Sequence, residues 1–235
     1  MGSVGVPKDD EFTILVTGFG PVKDYYPLNP SWEIAQSLPE YLPFDRVKDP
    51  AHKSPTGGNA ASALPPRVRI LVPPAPIRVN YEVVRGVVPV LWDDPGCKID
   101  AALHNGMAGP QHMYQVERRA HREGYLIKDV DGQFLEDDRR RREAGGDAGW
   151  IWEGLPLELL SDLDVNDIHK RWVQRCPKGL DLRISEDPGR YLCDFIYYSS
   201  MAHLTKQNRP RKVLFLHVPC EQSQETIKSG CEIAT

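Results

Sequence analysis

Short apolar runs alternate with amphipathic stretches along this chain. The apolar runs predict strands over 13–17, 68–72, 99–104, 116–120, 182–185 and 213–218. Apolar residues at helical spacing predict helices that begin near Asn29, span 81–92, begin at Asp164, span 191–204 and begin at Gln224. Apolar strands that alternate with helices are typical of a mostly parallel sheet covered on both faces. The pattern therefore predicts an α/β fold, with 1–235 as a single domain.

Two segments depart from this pattern. Residues 48–66 are rich in Pro, Gly, Ala and Ser, which indicates a surface insertion. Residues 124–152 are charged and without clear periodicity, so we expect irregular structure there and a second insertion near 128–152. The arginine run 139–142 is flanked by acidic residues and has no interleaved aromatics. It favours a solvated loop over a patch that binds nucleic acid.

Composition narrows the class of protein. Of the 235 residues, 40% are hydrophobic and 26% charged, and the net charge of -4 gives no general attraction to nucleic acid or an anionic membrane. No apolar run approaches the ~18 residues of a membrane span, and residues 1–10 lack the features of a secretory signal. Five scattered cysteines without a CxxC pair disfavour a disulfide framework and a zinc site. We expect a cytoplasmic protein.

Three residues carry candidate chemistry. Cys193 follows the turn at 187–189 and opens a predicted helix, whose amino terminus can stabilise a thiolate. His217 ends an apolar strand, where it can accept the Cys193 proton, and Glu117 can hold the other ring nitrogen. Taken singly, Cys193 would more often be a small buried hydrophobic residue, His217 a core histidine and Glu117 part of a surface ion pair. Together, the three residues favour nucleophilic amide hydrolysis.

Five segments, in order, resemble the pyroglutamyl peptidase I family of cysteine exopeptidases. GRYLCDFIYY at 189–198 resembles the nucleophile segment of that family, and FLHVP at 215–219 resembles its histidine segment. LHNGMAG at 103–109, with Glu117 downstream, resembles the acid segment. TGFGP at 17–21 and NPSW at 29–32 resemble the opening of the family sequence. The matches extend over nearly the whole chain.

The resemblance implies a three-layer α/β/α sandwich and hydrolysis of the amide after an amino-terminal pyroglutamyl residue. By this likeness, Cys193 attacks the carbonyl to form an acyl-enzyme, His217 transfers the proton, and Glu117 orients His217. The residues expected to bind the substrate are Phe19, Asn29, Asn105, Tyr191 and Leu192. The likeness implies no metal and no organic cofactor. The expected partners are pyroglutamyl peptides, and a homo-oligomer is compatible with this interpretation.

The chain also departs from the family. Val22 stands where the family usually has phenylalanine, which would weaken the grip on the lactam ring. The final helix looks shorter than in the family. Two alternatives therefore stay open: a non-catalytic protein that binds peptide amino termini, and an amidase that acts on another lactam or blocked amine.

Overall fold

The computed structural model describes residues 11–22, 26–43, 67–109 and 112–235, so the expected insertion at 48–66 lies outside the described residues. The strands are β1 (Glu11–Thr17), β2 (Arg67–Leu71), β3 (Ala101–Met107), β4 (Tyr114–Glu117), β5 (Arg119–His121), β6 (Glu158–Leu160), β7 (Leu182–Ser185) and β8 (Val213–Val218). The helices are α1 (Pro30–Gln36), α2 (Tyr81–Trp92), α3 (Glu136–Ala144), α4 (Val165–Arg175), α5 (Leu192–Lys206) and α6 (Gln224–Ala234).

The central sheet has six strands in the order β2-β1-β3-β8-β4-β7. Strands β2, β1, β3 and β8 pair in parallel, β4 is antiparallel to β8, and β7 is parallel to β4. The prediction of a mostly parallel sheet is confirmed. The single strand predicted over 116–120 is wrong, because β4 ends at Glu117 and β5 leaves to form a separate ribbon with β6.

The sheet separates two layers of helices. Helices α2 and α5 cover one face, where the core includes Tyr81, Phe195 and Phe215. Helices α1, α4 and α6 cover the other face, where Leu214 and Leu216 are buried. Neighbouring residues of β8 contribute to opposite layers because successive side chains of a strand point to opposite faces. The three-layer α/β/α architecture is confirmed.

Side-chain caps explain where most of the helices begin. The side chains of Asn29, Asn80, Asp164 and Ser223 each accept a backbone N–H from the first turn of α1, α2, α4 and α6, respectively. Helices α3 and α5 differ, because their N-cap residues Leu135 and Tyr191 make no side-chain capping bond. In the described parts of the chain, every helix is too short or too polar to cross a membrane.

The expectation of irregular structure over 124–152 is wrong. This segment contains α3, and Tyr125, Trp150 and Trp152 are buried in the core beneath α2 and α5. Helix α3 buries only Asp138, so its sequence shows no apolar stripe. Buried residues on either side of the helix attach the segment to the core, and pattern analysis of the helix alone does not detect them.

Candidate active site

Cys193 lies in the first turn of α5, as its position after the turn at 187–189 predicted. It is the second residue of the helix, where backbone N–H groups have no helical acceptor. The Sγ atom rests against β3, since a Cβ atom added to Gly106 would lie only 2.7 Å from it. The glycine therefore leaves the space that the sulfur occupies.

His217 lies on the neighbouring strand, beside the sulfur. Gly106 of β3 and His217 of β8 are register partners, so they present the same face of the sheet to α5. Glu117 on β4 is opposite Phe215, two residues before His217, and its longer side chain reaches diagonally across the antiparallel pair. The distance from Glu117 Oε1 to His217 Nδ1 is 2.7 Å. The Phe215 ring packs on the imidazole, with 4.8 Å between ring centroids.

The electrostatics of this cluster favour a protonated imidazole. Burial alone lowers the pKa of His217, but the negative charge of Cys193, its hydrogen bond with the ring and the Glu117 carboxylate together raise the pKa to about 10. Glu117 is completely buried, and its Oε2 atom has no hydrogen-bond partner among the described residues. A protonated imidazole between a cysteine sulfur and a buried carboxyl group is suited to nucleophilic attack followed by proton donation.

The loop after β1 carries Phe19 and is tied to α1. The Phe19 side chain is buried, and its backbone N–H donates to Ser31 Oγ at 3.0 Å. The side chain of Asn29 donates to the Gly20 carbonyl at 2.9 Å and accepts from Ser31 Oγ at 2.8 Å. The Asn29 amide thus holds the Phe19 loop against α1, which makes it a support for the loop.

Tyr191 and Leu192 precede Cys193 directly. The Tyr191 ring makes an edge contact with Tyr81, and its hydroxyl donates to the Lys128 carbonyl at 3.2 Å. Burial, with the nearby Asp129 and Cys193, raises the pKa of Tyr191 to about 12. Leu192 is 1% exposed and belongs to the core on the α5 side. Of these two residues, Tyr191 keeps more exposed surface beside Cys193.

Asn105 is not brought to the face that carries Cys193. His104 and Gly106, on either side of it, face α5, so the regular alternation of β3 directs Asn105 toward the α1 and α6 layer. Its side chain is fully buried, and neither Oδ1 nor Nδ2 has a hydrogen-bond partner in the described part of the chain. Among residues 11–22, 26–43, 67–109 and 112–235, no group of three or more His, Cys, Asp or Glu side chains could hold a metal ion.

Sequence reasoning missed two features near Cys193. The strand predicted over 99–104 stopped short of Gly106, whereas Gly106 lies inside β3 and admits the sulfur. Asp194, directly after Cys193, is fully buried and bonded to His121. The acidic residue in the first turn of a predicted helix was a visible signal for Asp194. No sequence pattern marked His121 as its partner.

Comparisons with known proteins identify the family of the chain. The family model described as pyroglutamyl peptidase matches residues 96–233. The chain therefore belongs to the pyroglutamyl peptidase family, as the resemblance of its motifs predicted. The matched residues include Glu117, Cys193 and His217.

Relatives and solved structures extend the similarity over most of the chain. The chain is similar to pyroglutamyl-peptidase 1 of Mus musculus, with 28% identity over 206 residues, 88% of this chain and 78% of the relative. It is also similar to pyrrolidone-carboxylate peptidase of Pyrococcus furiosus, with 30% identity over 134 residues, 57% of this chain and 58% of the relative. A structure of a mutant pyrrolidone carboxyl peptidase from Pyrococcus furiosus has the same fold, with a TM-score of 0.65, 22% identity and coverage of 95% of this chain and 98% of that chain.

Proposed function

We propose that this chain is a cysteine exopeptidase that hydrolyses the amide bond after an amino-terminal pyroglutamyl residue of peptides. The Cys193 thiolate attacks the pyroglutamyl carbonyl, and the free N–H groups of the first turn of α5 stabilise the oxyanion. His217 then donates its proton to the leaving amine, and a thioester remains on Cys193. Water, deprotonated by His217, hydrolyses the thioester. This step releases pyroglutamate and restores the thiolate and imidazolium.

One relationship carries this proposal. The 2.7 Å contact between Glu117 and His217 holds the imidazole on the same face of the sheet as Gly106, against which the Cys193 sulfur lies. Membership of the pyroglutamyl peptidase family supports the choice of substrate. The relatives in Mus musculus and Pyrococcus furiosus are named pyroglutamyl-peptidase 1 and pyrrolidone-carboxylate peptidase, respectively.

The proposed substrate pocket uses the residues around the Cys193 turn. A five-membered lactam has an apolar edge that suits an aromatic contact, and one amide that suits backbone hydrogen bonds. We assign the aromatic contact to Phe19 and Tyr191, with Leu192 supporting the turn from the core. Asn29 contributes by fixing the Phe19 loop, through its bonds to Gly20 and Ser31. Asn105 has no direct contact with substrate in this arrangement.

A chromogenic pyroglutamyl amide tests the proposal. The wild-type chain should release the chromophore, and Cys193→Ala should lose this activity by at least about 10³-fold. Cys220→Ala is the matched control, because Cys220 is the other cysteine close to His217 in sequence and should leave the rate unchanged. Turnover that survives in Cys193→Ala, or a folded wild type that binds a pyroglutamyl peptide in calorimetry without cleaving it, would reject the proposed function.

A further inference from the structure

A buried pair of side chains lies directly behind the proposed nucleophile. Asp194 is completely buried, and its Oδ1 atom accepts the backbone N–H of His121 at 2.8 Å. The Oδ2 atom of Asp194 lies 3.2 Å from His121 Nδ1 and 3.6 Å from Arg190 Nη1. Burial raises the pKa of Asp194, although its bonds to His121 and the charge of Arg190 oppose the shift. Burial of a carboxylate costs free energy unless several hydrogen-bond donors replace the water that it loses.

The partner of Asp194 belongs to the same short segment that supplies Glu117. Strand β4 ends at Glu117, which bonds to His217, and β5 ends four residues later at His121, which bonds to Asp194. Residues 117–121 therefore contact both Asp194, through the backbone and ring of His121, and His217, through the side chain of Glu117. Tyr125 also holds the end of this segment in place, because its buried hydroxyl donates to the His121 carbonyl.

We infer that His121 and Asp194 are positioning residues that fix the distance between Cys193 and His217. Helix α5 has no side-chain cap at Tyr191, so the bonds that Asp194 makes with His121 tie its first turn to β5, which directly follows the strand that carries Glu117. Without that tie, the first turn of α5 is free to shift relative to Glu117 and His217. A shift of about 1 Å in a reacting group can reduce a rate about 10²-fold. The change in kcat that this inference predicts rests on the proposed function, whereas the change in chemical labelling of Cys193 does not.

The test compares Asp194→Ala with Asp194→Asn. Alanine removes both contacts with His121, whereas asparagine can still accept the backbone N–H of His121 and donate to its ring. We expect Asp194→Ala to reduce kcat about 10–10²-fold with KM nearly unchanged, and asparagine to restore most of the loss. We also expect Asp194→Ala to slow iodoacetamide labelling of Cys193 at neutral pH by about tenfold, because the thiolate loses its imidazolium partner.

The other end of α5 supplies a matched control. There His203 Nε2 lies 2.9 Å from Asp93 Oδ2, so Asp93→Ala removes another histidine–aspartate contact to the same helix. His203 is ten residues, about 15 Å, from Cys193 along the helix, and Asp93→Ala should leave kcat and labelling unchanged. If Asp194→Ala does not fold, His121→Ala decides the question, because it removes only the ring contact. We expect this variant to slow labelling and reduce kcat about threefold to tenfold.

Each outcome separates this inference from the proposed function. Slower labelling in a folded Asp194→Ala supports positioning, even if the wild type fails to cleave pyroglutamyl amides and the proposed function is rejected. Normal kcat and normal labelling in a folded Asp194→Ala with a lowered melting temperature would overturn the inference, since the pair would then serve stability alone. An asparagine variant as impaired as the alanine variant would also overturn it.

Discussion

Gly106 and Cys193 touch so closely that only a glycine fits at position 106. A Cβ atom there would lie 2.7 Å from the Cys193 sulfur and 2.5 Å from Cζ of Phe215. Neither neighbour can retreat easily, because Phe215 is fully buried in the core and Cys193 is held in the first turn of α5. The sulfur can therefore occupy its position only because β3 has no side chain at Gly106, where it contacts α5.

Gly106→Ala should impair both stability and activity. Overpacking of a core contact costs roughly 1–3 kcal/mol of unfolding free energy, and displacement of the sulfur should reduce kcat about 10²-fold. Urea unfolding and steady-state kinetics measure the two effects. Gly86→Ala is the control, because no described residue beyond its own stretch of helix lies within 4 Å of a Cβ atom at that position. It should raise the unfolding free energy by ~0.5–1 kcal/mol and leave kcat unchanged. Equal effects of the two substitutions would contradict the close packing at Gly106.

Glu117→Gln should change the pH dependence of the reaction. Burial opposes protonation of His217, but the charges of Cys193 and Glu117 raise its pKa to about 10. The imidazolium is therefore present below that pH and is lost as the pH rises through it. Glutamine keeps the shape of the side chain without its charge, so the alkaline limb of the kcat profile should move to lower pH. We expect kcat itself to fall about 10²–10⁴-fold. An alkaline limb at the same pH in the variant would contradict the role given to Glu117.

His104 should make the fold sensitive to acid. Its ring is fully buried between Thr17 and Ser200, at 2.7 and 2.8 Å, and burial lowers its pKa to about 3. Since the unfolded chain binds a proton near pH 6.5 and the native chain does not, stability falls as the pH drops from 6.5 toward 3. The slope approaches ~1.4 kcal/mol per pH unit.

Replacement by glutamine tests this linkage. His104→Gln should flatten the pH dependence of the unfolding free energy between pH 6.5 and 4, as measured by urea titrations at several pH values. His112→Gln is the control, because that histidine is exposed, and it should keep the wild-type slope. A slope that stays unchanged in His104→Gln would show that other groups cause the acid sensitivity.

Arg85 should anchor the segment around α3. Its guanidinium carbon lies 4.0 Å from the Trp152 ring centroid and 4.7 Å from that of Phe195, and one nitrogen lies 2.6 Å from Asp137. Arg85→Met should lower the unfolding free energy by about 1–3 kcal/mol, because it removes the stacking and leaves Asp137 without its cation. Arg140→Met is the control: its side chain is 73% exposed and pairs with Glu136, so the change should stay within ~0.5 kcal/mol. Equal effects in urea unfolding would mean that the segment is not fixed to the core by Arg85.

The elements with strong local signals could be predicted from sequence. Strands β7 and β8 have the predicted bounds, and α4 and α6 begin where Asp164 and Gln224 indicated, because apolar runs and caps act locally. Helix α3 could not be predicted in this way, because the residues that attach its segment to the core, among them Trp150 and Trp152, lie outside the helix itself.

The candidate site was predicted only in part for the same reason. Cys193, His217 and Glu117 each stand in a segment that resembles the family, so the sequence could predict that the three side chains lie close together. Asn105 stands in one of these segments too, yet its place in the alternation of β3 turns it to the other face of the sheet. The pairing of His121 with Asp194 depends on how β5 leaves the sheet, which pattern analysis of single segments does not give.

Trapping the acyl-enzyme tests the central claim most directly. Wild-type protein mixed with a pyroglutamyl ester, quenched in acid and digested, should show one pyroglutamyl group attached to the peptide that contains Cys193, by mass spectrometry. The Cys220→Ala variant should show the same adduct. A pyroglutamyl group on another residue, or rapid hydrolysis that proceeds equally in Cys193→Ala, would contradict the assignment of Cys193 as the nucleophile.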